Sequence, residues 1–424
     1  MNVARQNRRD FWQNVSIAVL TVSAVLLFAA TQLYTLSGIN GYLGFFSESS
    51  AQPQNDATDL STPLTAPLRI AVTGTYGRYG SVSLSTENQG DFTPLFTLLG
   101  DALRSVQTFS TCEESEFLNA LNNTSVYYDF LNPLPLSFLA ELVRVERTDT
   151  IATRQFILSK TAEGVNLYLW DGTEQYLCGV TTLTMDDLSN AVSRYELGNA
   201  SFALDFTETV SEQPHLSPCS LFLNNEPTLT SLSAQTMSNV DFVLNTLQFN
   251  PNTKSRYTES SGTEVIVEDG RSLRIHTDGR MIYQGGDIAL TVDSEHGQVT
   301  LPELISGSSA LLNRLLSFYS NDAVLYLKDV QQDSSTTTLT FDYQVDGVPV
   351  HFSNGDSAAT ITLSDTNITS LNLYFRQYLL SGSNTLLLPL RQAMAIATQE
   401  KSSELFIGYV DHGNSTVHAG WISE

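Results

Sequence analysis

The sequence predicts an α+β fold class: a single N-terminal transmembrane helix followed by a multi-domain extracytoplasmic body of antiparallel sheets with packed helices. Three observations lead to this prediction. Residues 15–36 contain no charged side chain. Short alternating segments flank Asp-Gly pairs, which are typical of β-hairpins. Other segments carry apolar residues at helical spacing, so helices are expected to pack against the sheets.

The N-terminal apolar segment has the length of a membrane span. A helix of its 22 residues is about 33 Å long, slightly more than the hydrocarbon core of a bilayer. Three arginines precede it within the first nine residues, and the next basic residue is Arg69. Because positive charge stays on the cytoplasmic side, we expect residues 1–14 to be a cytoplasmic tail, residues 15–36 to span the cell membrane once, and the rest to be extracytoplasmic.

A cleaved signal peptide is the alternative interpretation of this segment. Its apolar core is normally about 7–15 residues long and ends at a site with small residues. The best candidate site here, Phe28-Ala29-Ala30, has a bulky residue where a small one is required. The length and the site therefore favour an uncleaved anchor.

The rest of the chain divides into a linker and three regions. Residues 37–67 are rich in Pro, Ser and Thr without periodicity, which predicts a linker. Residues 68–205 mix helical patterns with hairpins and are expected to form an N-terminal α+β domain. Residues 206–306 predict a middle domain, a helix plus a three-strand meander. Residues 307–424 repeat the order of helix and hairpin and predict a C-terminal α+β domain.

Asp-Gly pairs fix the turns of these hairpins. They occur at 269–270, 278–279 and 346–347, each between alternating strand patterns. A two-residue type I′ turn needs positive φ at both central residues, which glycine adopts without a steric penalty. We therefore expect Gly270 and Gly279 to be required for the meander.

Composition excludes several classes of partner. The net charge of −24 repels nucleic acid and anionic lipid headgroups.

Three cysteines, Cys112, Cys178 and Cys219, include no CxxC pair, and their odd number forbids complete pairing. A secreted domain built on disulfides would carry more cysteine, so core thiols are expected.

No recognised catalytic motif occurs in the sequence. Asp411-His412 and His418 lie close together in a predicted hairpin, but no HExxH, GxSxG or P-loop pattern accompanies them. We therefore expect no enzyme activity, no cofactor, no metal site and no small-molecule substrate.

Two groups of residues are candidate partner-binding sites. Five basic residues lie close together in the middle region: Lys254, Arg256, Arg271, Arg274 and Arg280. They predict either a docking patch for an acidic partner or cross-strand ion pairs on a solvated sheet face. On either interpretation they lie on the surface, so replacing Arg271 and Arg274 by Gln is expected to change stability by less than about 0.5 kcal/mol.

The second group lies in the apolar N-terminal segment. Ser16, Ser23 and Ala30 recur every seven residues and share one helix face. Small residues at this spacing let another membrane helix approach closely. The alternative is a lipid-facing helix with ordinary Ser and Ala content.

The middle and C-terminal regions resemble the YycH family. The similarity rests on the segment from Leu247 to Ile275, on Gly279-Arg-Met-Ile-Tyr, and on the ending from Ala393 to Ile422. Members have an N-terminal membrane anchor and extracytoplasmic α+β domains. With the related YycI proteins, they regulate the WalK (YycG) sensor histidine kinase, which governs cell-wall metabolism in Gram-positive bacteria. The resemblance transfers no catalytic residues.

This resemblance implies a membrane-anchored extracytoplasmic regulator of a two-component sensor histidine kinase. It would act by protein–protein contact, with a YycI-like protein as a second partner. The alternative from another class is a surface-anchored cell-envelope binding or assembly protein that recognises glycan or peptide.

Overall fold

Two large antiparallel sheets account for most of the described structure. A computed structural model describes residues 64–82, 92–143, 145, 147, 151–173, 175–206, 216–223, 229–236, 239–292, 299–318, 321–400 and 403–423. Of these residues, 44% lie in strands and 23% in helices. The chain divides after Asp56, and all described residues belong to the second unit, Ala57–Glu424.

The first sheet contains nine strands among the described residues. They are β1 (Arg69–Thr73), β2 (Tyr79–Val82), β3 (Ser110–Thr111), β4 (Ser125–Pro135), β5 (Ala152–Lys160), β6 (Val165–Trp170), β7 (Tyr176–Val180), β8 (Ala200–Phe202) and β9 (Leu221–Leu223). Their spatial order is β3-β7-β6-β5-β4-β1-β2-β8-β9, and every neighbouring pair is antiparallel.

Helices cover both faces of this sheet. They are α1 (Thr93–Ser105), α2 (Glu114–Asn122), α3 (Leu136–Leu142) and α4 (Met185–Val192). In β4, Val126 and Tyr128 belong to the core that contains α1, α3 and α4, whereas Tyr127 belongs to the core that contains Phe117 of α2. Because successive strand residues point to opposite faces, burial on both faces explains why the start of β4 is apolar almost throughout.

The second sheet contains thirteen strands in the described part of the chain. They are β10 (Leu229–Thr236), β11 (Arg256–Thr258), β12 (Glu264–Glu268), β13 (Arg271–Ile275), β14 (Arg280–Ala289), β15 (Val324–Gln332), β16 (Thr337–Val345), β17 (Val348–Phe352), β18 (Ala359–Ser364), β19 (Asn367–Tyr374), β20 (Arg376–Thr385), β21 (Leu405–Asp411) and β22 (Thr416–Ser423). Three helices accompany it: α5 (Val240–Thr246), α6 (Leu301–Leu316) and α7 (Leu390–Glu400).

The order of this sheet is β11-β12-β13-β14-β19-β18-β16-β17-β21-β22-β10-β20, with β15 on the other edge of β16. The pair β17–β21 is parallel and the other pairs are antiparallel. The N–H of Asp322, just before β15, donates to the carbonyl of Tyr378 in β20 at 2.9 Å. The sheet therefore curls until β20 lies beside the start of β15.

The predicted Asp-Gly hairpins are confirmed, with one difference in turn type. At the first turn, φ is 48° at Asp269 and 83° at Gly270, as a type I′ turn requires. The turn between β16 and β17 likewise has positive φ at both central residues. At the second turn only Gly279 has positive φ, 94°, and the N–H of His276 donates to the carbonyl of Arg280. This loop has three residues rather than two.

The fold class predicted from the sequence was wrong in two respects, the proportion of sheet to helix and the membrane helix. The described body is mostly sheet, with nearly twice as many residues in strands as in helices. Within the described ranges, no helix is long and apolar enough to cross a membrane. Residues 15–36, predicted to do so, lie outside the described residues, as do the tail 1–14 and most of the linker. The single-pass anchor and the cell-membrane location derived from it are not supported.

The predicted domain boundaries near residues 205 and 306 remain predictions. Strands from both later regions share the second sheet, since β14 pairs with β19 and β10 pairs with β20 and β22.

A buried charge network joins the two sheets. Arg154 of β5 donates from Nε to Oδ1 of Asp129 in β4 at 3.0 Å, and from Nη2 to Oε2 of Glu404, just before β21, at 2.9 Å. Arg69 of β1 lies 3.6 Å from the other Asp129 oxygen, and its guanidinium lies 4.5 Å from the ring centroid of Phe406. Asp129 is 1% exposed and Glu404 is 7% exposed. We name Arg69, Asp129, Arg154 and Glu404 the intersheet network.

Electrostatics keep Asp129 ionised within this network. Burial alone would raise the pKa of its carboxyl, but the positive charges of Arg154 and Arg69 hold that pKa below its ordinary value. The two carboxylates correspondingly raise the pKa of the Arg154 guanidinium. Each charge is thus stabilised only while its partners on the other strands stay in place.

Replacing Arg154 by Met should destabilise the protein by about 3–5 kcal/mol, because two buried carboxylates would lose their shared cation. Arg314→Met is the matched control, since Arg314 is exposed on α6, and it should change stability by less than about 0.5 kcal/mol. Urea denaturation of both full-length variants measures the difference.

The same comparison predicts a dependence on pH. Because the pKa of Asp129 is lower in the folded state, its stabilising contribution is complete above the ordinary pKa of about 4 and is lost as the pH falls through the folded value. The stability difference between the wild type and Arg154→Met should therefore shrink below pH of about 4. An equal difference at every pH would show that the network is not what Arg154 stabilises.

Candidate functional site: an uncharged strand edge

Four of the five basic residues predicted to bind a partner form ion pairs in the structure. Arg256 of β11 contacts Asp241 at 3.1 Å and Glu264 at 2.8 Å. The remaining contacts are Arg271 with Asp287 at 3.1 Å, Arg274 with Glu259 at 3.4 Å, and Arg280 with Asp278 at 2.7 Å. Lys254 lies exposed in the loop before β11. This geometry matches the interpretation of local ion pairing, and the docking patch stays a prediction.

Arg271 differs from its neighbours because it is buried. It is 9% exposed, and its Nη2 donates to the carbonyl of Gln248 at 2.7 Å. Its guanidinium also lies 4.3 Å from the ring centroid of Phe249. Arg274, three residues along the same strand, has a side chain that is 48% exposed. The sequence-based expectation that both arginines lie on the surface was wrong for Arg271.

Arg271→Gln should therefore destabilise the protein by about 1.5–3 kcal/mol, since a buried charged hydrogen bond and a cation–π contact are lost together. Arg274→Gln should change stability by less than about 0.5 kcal/mol. Thermal and urea denaturation of the two single variants test this contrast. Equal effects would mean that Arg271 contributes no more than a surface residue.

The other sequence candidates do not assemble into a chemical site. Ser16, Ser23 and Ala30 lie outside the described residues. Asp411 is not paired with a catalytic histidine but is a buried acceptor, whereas His412 and His418 are exposed. Within the described part of the chain, no group of three or more His, Cys, Asp or Glu side chains could hold a metal ion.

Asp411 instead anchors the start of β20. Both of its oxygens accept hydrogen bonds from Arg376, each at 2.8 Å, and Oδ2 also accepts one from the hydroxyl of Tyr378 at 2.8 Å. Burial, followed by the charge of Asp411, raises the pKa of Tyr378, so this hydroxyl stays a donor. The Tyr378 ring packs against Tyr343, with centroids 5.4 Å apart. The first residues of β20 are thereby fixed in the core.

Beyond Tyr378 the strand leaves the core and bulges around one serine. Leu380 pairs with Leu232 of β10, and Asn384 pairs with Thr230, so three residues of β20 face Ser231 alone. The hydroxyl of Ser231 lies 2.7 Å from that of Ser381 and donates to the carbonyl of Ser383 at 3.1 Å. Ser231 is 1% exposed. Bulges re-aim side chains and are common beside functional sites.

The segment that follows presents leucines to solvent. Leu380 is 47% exposed, Leu386 is 89% exposed and Leu388 is 49% exposed. In a chain with a net charge of −24, residues 377–390 contain no charged side chain. Because β20 is the last strand in the order of its sheet, no described strand pairs with its outer edge over residues 381–385. We name residues 380–388 the leucine edge.

The leucine edge was missed by sequence reasoning. The sequence analysis placed this stretch in the predicted C-terminal domain of residues 307–424 but gave it no candidate role. The bulge interrupts the alternation of apolar and polar residues, so the strand pattern is lost there. The one available signal was the long uncharged run.

Comparisons with family models, curated proteins and solved structures found no match to this chain. The resemblance to the YycH family therefore stays a prediction, and the candidate site rests on its own geometry.

Proposed function

We propose that this protein acts by protein–protein contact and that the leucine edge is its contact surface. The supporting observation is the exposure of Leu380 in β20, and of Leu386 and Leu388 directly after this strand ends, in a stretch without charged side chains. Exposed apolar side chains that form one patch mark protein interaction sites, and the proposal requires these three leucines to form such a patch with a partner. An open strand edge also offers backbone donors and acceptors to an extended segment of a partner.

The chemistry of the edge favours a protein partner over a glycan. Leucine side chains provide no hydrogen-bonding groups for sugar hydroxyls, whereas they gain free energy when another apolar surface covers them. The strongly acidic remainder of the chain would repel acidic partners, and the uncharged segment is where that repulsion is weakest. An apolar, extended segment of a protein is thus the best complement.

We propose a sensor histidine kinase as this partner, in line with the resemblance to the YycH family, with a YycI-like regulator as a second partner. The regulator would bind one state of the kinase more tightly than the other and so shift the population between them. Such a mechanism needs no catalytic residue in this chain, only a differential contact.

The direct test is binding of the full-length chain to each sensor histidine kinase of its source organism, with kinase autophosphorylation as the functional readout. Replacing Leu380, Leu386 and Leu388 together by Ser should weaken binding by about tenfold or more, because central apolar anchors dominate interface energies. The thermal midpoint should hold, since these side chains are exposed.

The matched control replaces exposed valines elsewhere by Ser. Val180 is 74% exposed and Val267 is 43% exposed, and neither belongs to the leucine edge. These changes should leave binding unaltered. If a kinase binds the triple variant as tightly as the wild type, the contact lies elsewhere; if no sensor kinase binds the wild type, the proposed function is wrong.

A further inference from the structure

Six strands of the second sheet carry one continuous line of uncharged polar side chains. Each position in this line is the register partner of the next, and each residue has a hydroxyl or a primary amide. From β15 through β16, β18, β19 and β14 to β13, the residues are Gln331, Thr338, Thr362, Ser370, Gln284 and Ser272. We name these six residues the hydroxyl–amide row. Because neighbouring strands are about 4.8 Å apart, the row is about 24 Å long.

The row lies on the face of the sheet that points away from the core. Leu339 follows Thr338 and Leu371 follows Ser370, and both leucines belong to the main hydrophobic core. Since successive strand residues point to opposite faces, the row members point outward. None of them is buried, and Gln284 is exposed.

A second line of polar groups runs beside the row. Thr340, Thr360 and Asn372 are register partners two residues away from row members in the same strands, so the two lines are about 7 Å apart. The charged residues of this second line, Asp329 and Arg274, occupy its two ends. The middle of this face is therefore neutral, although the chain has a net charge of −24.

The hydroxyls at the centre of the row are held in place before any ligand binds. The Thr338 and Thr362 hydroxyls lie 3.3 Å apart and share a hydrogen bond. Threonine is branched at Cβ, so its side chain has few rotamers in a strand. Binding to such side chains costs little conformational entropy.

We propose that the hydroxyl–amide row binds a neutral, linear polysaccharide that lies across the six strands. Hydroxyl and amide groups both donate and accept hydrogen bonds, which matches the hydroxyls of a sugar. A line about 24 Å long contacts several sugars in succession, so a polymer fits it better than a single sugar does. This surface is separate from the leucine edge and does not depend on the proposed function.

Charge complementarity favours this ligand over other macromolecules. The row offers no cation to nucleic acid, to an acidic glycan or to anionic lipid, and the acidic chain repels all three. It also lacks the aromatic, methionine and arginine side chains that are enriched in protein interfaces. A neutral polymer of hydroxyl groups avoids both mismatches.

The test mixes the full-length protein with insoluble cellulose, chitin, curdlan and mannan, and measures the fraction that sediments with each polymer. Binding to at least one of these neutral polymers is expected, and it should depend little on salt because no ion pair contributes. Beads that carry polygalacturonate, an acidic polymer, should not retain the protein. The double variant Thr362→Val/Ser370→Ala removes two hydroxyls from the middle of the row and should weaken binding about tenfold or more.

The matched control is the double variant Thr258→Val/Thr416→Val. It removes two exposed hydroxyls from β11 and β22, outside the row, and should bind the polymer as the wild type does. Both double variants should keep the thermal midpoint of the wild type, since none of the four side chains is buried.

Absence of binding to all four neutral polymers would overturn the proposal, as would equal binding by the wild type and the Thr362→Val/Ser370→Ala variant. If that variant loses binding to a sensor kinase but keeps binding to the polymer, the row is a protein contact and the proposal is wrong. The triple leucine variant of the leucine edge should still bind the polymer. The two proposals can therefore fail separately.

Discussion

The structure depends above all on one interaction in the intersheet network: the Arg154 guanidinium is shared by the carboxylates of Asp129 and Glu404. Arg154 lies between Asp129 and Glu404, which come from different sheets and are separated by more than half the chain. A buried carboxylate without a partner is strongly unfavourable, and a buried cation is equally so. Each sheet therefore carries part of a charge balance that only the other sheet completes, and the two sheets satisfy it by packing together.

The same principle positions the candidate contact surface. Arg376 and Asp411 form a second buried pair, which holds the first residues of β20 in the core of the second sheet. Because these residues are fixed, the position of the rest of the strand is fixed as well, and the hydroxyl of Ser231 stabilises its bulge. A binding edge gains affinity when it is held in place before the partner arrives. The buried pair at the start of β20 thus positions the uncharged leucine edge at its end.

Local features of the fold were predictable from the sequence, and long-range ones were not. The turn at Asp269-Gly270 follows from the backbone freedom of two adjacent residues, so it was found correctly. The turn at residues 278–279 was found, but its longer loop depends on the pairing of β13 with β14, which the dipeptide does not specify.

Residues whose partners are distant in the sequence carried no such signal. Asp411 was read with the adjacent His412, although its true partner is Arg376, because the pairing of β20, β10, β22 and β21 cannot be inferred from neighbouring residues. Arg271 looked exposed because the pattern of β13 does not show that Phe249 covers it.

Unfolding followed separately in each sheet is the most direct measurement of this interdependence. Trp170 lies in β6 of the first sheet and Trp421 in β22 of the second. Variants that retain only one of these two tryptophans, with Trp12 replaced by Phe in both, report each sheet by fluorescence during urea titration. Far-ultraviolet circular dichroism of each variant measures the loss of secondary structure and corrects for any change in stability that the tryptophan substitutions cause. If the intersheet network makes the sheets one cooperative unit, the fluorescence transition of each variant will coincide with its loss of secondary structure. A tryptophan that reports its sheet unfolding while the other sheet stays folded would contradict this account.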